Sequence, residues 1–149
     1  MSLLTWFLDF SGMIGMRHAV LIIFLLLTPT LIFAQKRDKN KEKQEEKLAE
    51  NAEYFYGEKN YLRALGYYRD LVNLDSLNPF YHYRLGICYL YKQDERAKSV
   101  VELEKARMMD PGLDQVDFFL GRAYHLNYRF DDAIRAFEIA LNDPELNAL

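Results

Sequence analysis

The chain has 149 residues, of which half are hydrophobic and 28% are charged, a composition typical of a folded domain. Its net charge of -3 argues against a nucleic-acid-binding protein, because binding to phosphates needs a positive surface. The single cysteine, Cys88, excludes an internal disulfide and a cysteine-based zinc site. The length allows one domain at most once targeting sequence is set aside.

The beginning of the chain predicts a secretory signal peptide over residues 1–34. Arg17 precedes an apolar run over Ala19–Ala34, and this run ends in a small residue, so all three parts of such a signal are present. We expect cleavage after Ala34 and take Met16 as the true start. The alternative is an uncleaved membrane anchor, although the run is shorter than the roughly 20 residues that span a bilayer.

The next segment, residues 35–47, predicts a charged helical spacer. Basic and acidic side chains alternate at short spacing, and the segment contains neither glycine nor proline. Such mixed charge favours a solvated helix over a flexible linker. We interpret the segment as an extension of the first helix that follows it. A contact with a membrane surface or a partner is the alternative.

From residue 48 onward, apolar residues at helical spacing predict three helical hairpins, over about 45–78, 79–112 and 113–146. The first hairpin turns at residues 57–60. In the second, Asn78 is a preferred helix N-cap and Pro79 suits the first helical position. The breaks at the ends of the second and third hairpins contain proline.

The three hairpins repeat one another with a period of 34 to 35 residues. Gly86-Ile87-Cys88-Tyr89 recurs as Gly121-Arg122-Ala123-Tyr124, and residues 52–55 form a weaker copy. Small residues recur downstream at Ala64, Ser99 and Ala133, and large apolar ones at Tyr68, Leu103 and Phe137. A period of this length indicates stacked repeats, which build binding surfaces far more often than catalytic centres.

The mid-helix glycines of the repeat predict a close crossing of two helices. Glycine in a helix costs about 1 kcal/mol relative to alanine. Gly86 and Gly121 are therefore expected where a second helix passes very near. Ala64, Ser99 and Ala133, on the facing helices, are small for the same reason, and we expect Tyr89 and Tyr124 to fill the space beside the crossing.

These positions resemble the tetratricopeptide repeat (TPR) family, whose 34-residue unit has the same order of small and aromatic residues. The third unit matches best, with Gly121, Tyr124, Ala133 and Phe137 in register and Pro144 one place early. The resemblance covers about residues 45–146. It implies an all-α TPR solenoid of three helix-turn-helix repeats, and it implies a protein or peptide partner without naming one.

The resemblance further implies a concave groove lined mainly by the first helix of each unit. Aromatic-lined grooves of this kind suit extended or helical peptides with apolar anchors. The expected partner-binding residues are Tyr56, Tyr83, Ile87, Leu90, Tyr91, Phe118, Arg122 and His125, with Glu53 beside them. One TPR subclass grips a terminal carboxylate with lysine, asparagine and arginine. Ile87 and Glu53 replace its asparagines and its lysines are lacking, so we do not expect that activity.

The sequence offers no candidate for catalysis, for a cofactor or for a metal. His82 and His125 lie in different units without an evident acidic partner, and we interpret Cys88 as a buried, inert thiol. No glycine-rich phosphate loop and no zinc-binding helix motif occurs. The sequence therefore predicts a protein that is not an enzyme.

We expect a protein–protein interaction scaffold exported to the periplasm or cell envelope, since it resembles exported TPR proteins of the bacterial envelope. The alternatives are a regulatory subunit of a cell-wall or secretion enzyme, and a scaffold anchored in the membrane by an uncleaved signal. Short TPR arrays of this type also occur as the N-terminal part of longer OmpA-like envelope proteins. Neither nucleic acid nor, apart from the signal segment, a membrane is an expected partner.

The last hairpin lacks the extra polar-faced helix that usually covers the end of such an array. Its second helix carries an apolar stripe that includes Ile134, Phe137, Ile139 and Leu141. We expect either that the chain is a fragment of a longer protein, or that another chain covers this end, self-association included.

Overall fold

The computed structural model describes residues 38–142, and all regular secondary structure in that range is helical. A compact unit begins at Gln44, and the contacts described below lie within it. The helices are α1 (38–57), α2 (Tyr61–Leu74), α3 (Pro79–Leu90), α4 (Ala97–Met109), α5 (Val116–Leu126) and α6 (Phe130–Leu141). The predicted all-α fold of three helix-turn-helix repeats is confirmed. The predicted signal peptide, residues 1–34, lies outside the described residues.

The start of α3 shows the predicted cap. The Asn78 side chain accepts hydrogen bonds from the backbone N–H groups of Phe80, at 3.0 Å, and Tyr81, at 3.4 Å. Pro79 occupies the first helical position, where a missing N–H costs nothing. These two residues therefore set where the second hairpin begins.

The turns inside the first and third hairpins have the same backbone geometry. Lys59 and Tyr128 have φ angles of 57° and 62°, in the left-handed region. The N–H of Asn60 donates to the carbonyl of Phe55, and that of Arg129 to the carbonyl of Tyr124. This pattern satisfies the last carbonyls of the preceding helix and reverses the chain. The second hairpin has a short 3₁₀ helix in its turn, at Gln93–Glu95.

The predicted close crossing inside the hairpins is confirmed. A Cβ atom on Gly86 would lie 2.6 Å from Cγ of Leu103, and one on Gly121 would lie 2.5 Å from Cε1 of Phe137. The facing residues are thus the large apolar ones of the repeat. Ser99, one of the small residues expected on the facing helix, is fully buried, and its hydroxyl donates to the carbonyl of Arg96.

Each hairpin packs on the preceding one through its first helix. Tyr89 of α3 accepts a hydrogen bond from Arg69 of α2 at 3.3 Å. Its equivalent, Tyr124 of α5, donates to Glu104 of α4 at 2.9 Å. Both tyrosines therefore contact the preceding hairpin, and a cation of their own hairpin, Lys98 or Arg129, also lies within cation–π range of the ring. Within residues 38–142, no helix is both long and apolar enough to cross a membrane.

Candidate partner-binding surface

An aromatic row runs across the junction of the first and second hairpins. The rings of Tyr56 and Tyr61 meet edge to face with centroids 5.3 Å apart. Tyr61 stacks in turn on Tyr91, at 4.0 Å and with nearly parallel planes. We call Tyr56, Tyr61 and Tyr91 the aromatic row. Tyr91 is 42% exposed, so the row presents apolar ring surface to solvent.

A half-buried arginine from the third hairpin closes the row. The Arg122 guanidinium lies 5.8 Å from the ring centroid of Tyr91 and 5.9 Å from that of Phe119, within the range of cation–π attraction. No carboxylate in the described part of the chain forms an ion pair with it. Its positive charge is therefore available to a bound acidic group.

Tyr61 is the main site residue that the sequence analysis did not include. It begins α2, and the resemblance assigned the surface mainly to first helices. Burial raises the pKa of Tyr61, and the neighbouring Tyr91 hydroxyl raises it further. Tyr61, the aromatic residue at the turn of the first hairpin, thus packs against Tyr91. Such stacking between hairpins cannot be inferred from spacing along the sequence.

Three of the expected groove residues lie in the core and offer no surface to a partner. Tyr83, Ile87 and Leu90 are 7%, 1% and 3% exposed. The Tyr83 hydroxyl donates to the backbone carbonyl of Asp114 at 2.7 Å and so joins the second hairpin to the third. This is a correction to the expected groove: the three side chains hold hairpins together, because the first helices pack closely at these positions.

Tyr56 lies half-buried, with its ring covered by a charged network. The Arg84 guanidinium lies 4.0 Å from its ring centroid and pairs with Glu53 at 3.6 Å. Glu53 also accepts the hydroxyl hydrogen of buried Tyr68. Burial raises the pKa of Tyr56, and the Arg84 charge partly opposes this rise. The charges of Glu53 and Arg84 therefore neutralise each other, whereas no carboxylate of the described residues pairs with Arg122.

The remaining two expected residues lie toward the third hairpin. Phe118 is half-buried and packs on Phe119 and Phe137, with centroid distances of 5.5 and 6.0 Å. His125 is exposed and meets the edge of Phe130 at 5.7 Å. Phe119 was not among the expected residues, although it touches both Arg122 and buried Tyr83. The surface therefore extends from Tyr56 to His125.

The buried histidine does have an acidic partner, contrary to the sequence analysis. His82 is 2% exposed, and its Nδ1 lies 2.6 Å from a carboxylate oxygen of Glu102 on α4. Its Nε2 lies 3.0 Å from the backbone carbonyl of Ser76. Both ring nitrogens are thus engaged in joining α3 to its surroundings, which suits a structural role.

Cys88 is a buried thiol, and the nearby Arg84 charge opposes only part of the rise that burial causes in its pKa. It is fully inaccessible, and burial raises its pKa to about 12, which keeps it in the unreactive protonated form. Among residues 38–142 no cluster of three or more metal-binding side chains occurs. These side chains give no support to nucleophilic or metal chemistry.

A pocket of about 300 Å³ opens between α4 and α5, apart from the aromatic row. Its lining residues are Glu104, Arg107, Met108, Pro111, Leu120 and Tyr124. Arg107 pairs with Asp117 at 2.8 Å, and Tyr124 donates to Glu104. The polar groups of this pocket are therefore engaged with each other.

Comparison with known proteins defines the fold. No protein-family model and no curated protein matches the sequence. Among solved structures, the chain is similar to the TPR domain of Arabidopsis OM64, with a TM-score of 0.61 and 20% sequence identity. The match covers 68% of this chain and 83% of that domain. The chain thus has a TPR-like helical repeat fold.

Proposed function

We propose that this protein is a protein–protein interaction scaffold that binds a peptide segment of a partner over the aromatic row and Arg122. The observation that carries the proposal is the half-buried Arg122 guanidinium, which lies against exposed Tyr91 without a paired carboxylate in the described chain. The TPR-like fold supports it, since stacked repeats build extended binding surfaces.

The chemistry of the surface describes the peptide. Stacked tyrosines offer flat apolar area at a low cost in side-chain entropy, so they suit an aromatic or aliphatic anchor. The Arg122 guanidinium suits one carboxylate beside that anchor. We therefore expect a segment in which an aspartate or glutamate adjoins an apolar residue.

Peptide phage display on the full-length chain tests this proposal. We expect the selected peptides to be enriched in an acidic residue next to an aromatic or aliphatic one. Arg122→Ala should weaken their binding about 10- to 100-fold, the equivalent of a lost charge-assisted hydrogen bond. Tyr91→Ala should also weaken binding, with fluorescence anisotropy of labelled peptides as the measurement.

Arg135→Ala is the matched control for Arg122→Ala. Arg135 is exposed on α6 and pairs with Asp132, away from the aromatic row. Its replacement should leave peptide affinity unchanged. Peptides that bind the wild type, Arg122→Ala and Tyr91→Ala equally well would place the binding surface elsewhere.

We also propose that the protein is exported to the periplasm or cell envelope through residues 1–34. The support for export is the sequence pattern alone, in which Arg17 precedes the apolar run Ala19–Ala34. These residues lie outside the described range. Expression in a Gram-negative host should yield a periplasmic product whose N-terminal sequence starts at Gln35. A cytoplasmic product that retains Arg17 would refute export.

A further inference from the structure

The outward face of α6 carries exposed apolar side chains. One of them, Ile134, lies at a repeat position whose side chain is buried in the other two hairpins. Leu65, Val100 and Ile134 occupy equivalent places in α2, α4 and α6, and they are 5%, 6% and 57% exposed. Phe130, one helical turn before Ile134, is 53% exposed. We call Phe130 and Ile134 the α6 stripe. Phe130 meets His125, the last residue of the partner-binding surface, so the stripe begins where that surface ends.

The first two hairpins show what kind of element covers this position. Leu65 shares a buried cluster with Leu85 and Cys88 of α3. Val100 shares one with Leu120 and Ala123 of α5. In both cases the cover is a helix that presents leucine and, three residues later, a small residue on the same face.

A polar contact accompanies each of these helices. The residue after the small one is a tyrosine, and its hydroxyl meets Arg69 of α2 in one case and Glu104 of α4 in the other. The equivalent residue of α6 is Glu138, which is exposed. No ion pair engages its carboxylate in the described part of the chain. The outward face of α6 therefore offers a covering helix an apolar position at Ile134 and a polar position at Glu138.

We propose that α6 docks an amphipathic helix of a partner protein, in the position that α3 takes on α2 and α5 takes on α4. The partner helix presents an aliphatic residue, a leucine four residues later and a small residue three after that. A tyrosine, lysine or arginine follows directly and faces Glu138. This is a second interaction surface, independent of Arg122.

The charges and polar groups of the chain argue against a second copy as the occupant. If two copies stacked head to tail, α1 of one copy would cover α6 of the other. Lys47 and Asn51 would then take the positions that Tyr81 and Leu85 of α3 hold on α2. The Asn51 amide already donates to the carbonyl of Lys47, and burial of the Lys47 charge is costly. A two-fold pairing of α6 with its copy would bring the acidic Asp131 and Glu138 into one interface. A helix of another sequence avoids both penalties.

A synthetic peptide tests the docking site. The probe is a fluorescein-labelled, C-terminally amidated 18-residue helix of alanine, glutamine and lysine. It carries valine, leucine, alanine and tyrosine at the spacing of Val116, Leu120, Ala123 and Tyr124. Anisotropy should show saturable binding to the full-length chain with a dissociation constant below about 100 µM. A control peptide with asparagine in place of the leucine should bind at least about tenfold more weakly, since an unpaired amide would then be buried.

Two exposed isoleucines give matched protein variants. Ile134→Glu should weaken peptide binding at least about tenfold, whereas Ile139→Glu, 45% exposed but off the stripe, should leave it unchanged. Glu138→Lys should weaken binding, and a peptide with glutamate in place of tyrosine should restore it. Circular dichroism checks that each variant stays folded. Arg122→Ala should have no effect, which separates this site from the proposed function.

Several results would overturn the proposal. Absence of saturable binding, or equal binding to Ile134→Glu and wild type, would remove the docking site. If light scattering showed that the wild type is a dimer and that Ile134→Glu dissociates it, the occupant of the site would be a second copy of the chain. Binding gained only when the chain is shortened after Asn142 would mean that the chain's own end covers α6.

Discussion

Replacing Gly86 by alanine should lower the free energy of unfolding by about 2 kcal/mol. A Cβ at this position would lie 2.6 Å from Cγ of Leu103 and 3.1 Å from its backbone nitrogen. Leu103 is fully buried and has no room to move away. Overpacking of this kind costs about 1–3 kcal/mol or more, and the helix propensity gained by alanine returns only about 1. Urea denaturation followed by circular dichroism measures the difference.

Gly66 provides the control for this substitution, because it lies inside α2 with open space around the place that a Cβ would take. Gly66→Ala should therefore raise stability by about 1 kcal/mol through helix propensity alone. A double-mutant cycle tests the cause. Leu103→Ala alone should cost about 3 kcal/mol through its cavity, and distinctly less in the Gly86→Ala background. Equal effects of Gly86→Ala and Gly66→Ala would contradict the close crossing.

The hairpins and their order could be predicted from the sequence because they depend on local patterns. The N-cap at Asn78 and the crossing glycines are properties of single positions, and both are confirmed. That Leu103 is the residue nearest Gly86 could not be predicted. Helical spacing states which residues share a face, whereas the contact across the hairpin depends on how the two helices are rotated against each other.

The candidate site could be predicted only in part. Arg122 and Tyr91 follow from their register in the repeat, and they meet each other in the structure. Tyr83 and Ile87 occupy positions of the same register, yet packing between adjacent first helices buries them. Tyr61 was missed because its stacking on Tyr91 joins two hairpins. Contacts between repeats thus decide which residues of a face remain accessible.

Replacing His82 by alanine should lower the free energy of unfolding by about 3 kcal/mol. His82 is buried on α3 and links it to two other parts of the chain. Its Nδ1 lies 2.6 Å from a carboxylate oxygen of Glu102 on α4, and its Nε2 lies 3.0 Å from the carbonyl oxygen of Ser76, in the segment before α3. Alanine would leave a cavity, remove the partner of the Ser76 carbonyl and leave the mostly buried Glu102 carboxylate to its ion pair with Lys105 at 3.6 Å. Each unsatisfied buried polar group costs about 1–3 kcal/mol and the cavity adds to this cost, so we expect about 3 kcal/mol in total. Chemical denaturation measures the global effect.

Hydrogen exchange and two control variants separate this link from a general loss of packing. His125 is exposed, so His125→Ala should change stability by no more than about 0.5 kcal/mol. Glu102→Gln keeps an oxygen that accepts from His82 and should cost less than His82→Ala, because only the charge is lost. In His82→Ala, amides in the first turns of α3 should exchange faster than those of α5, since the lost contacts hold the start of α3. If His82→Ala destabilised the protein no more than His125→Ala, the joining of α3 to α4 would have to come from the apolar contacts around Leu103 alone.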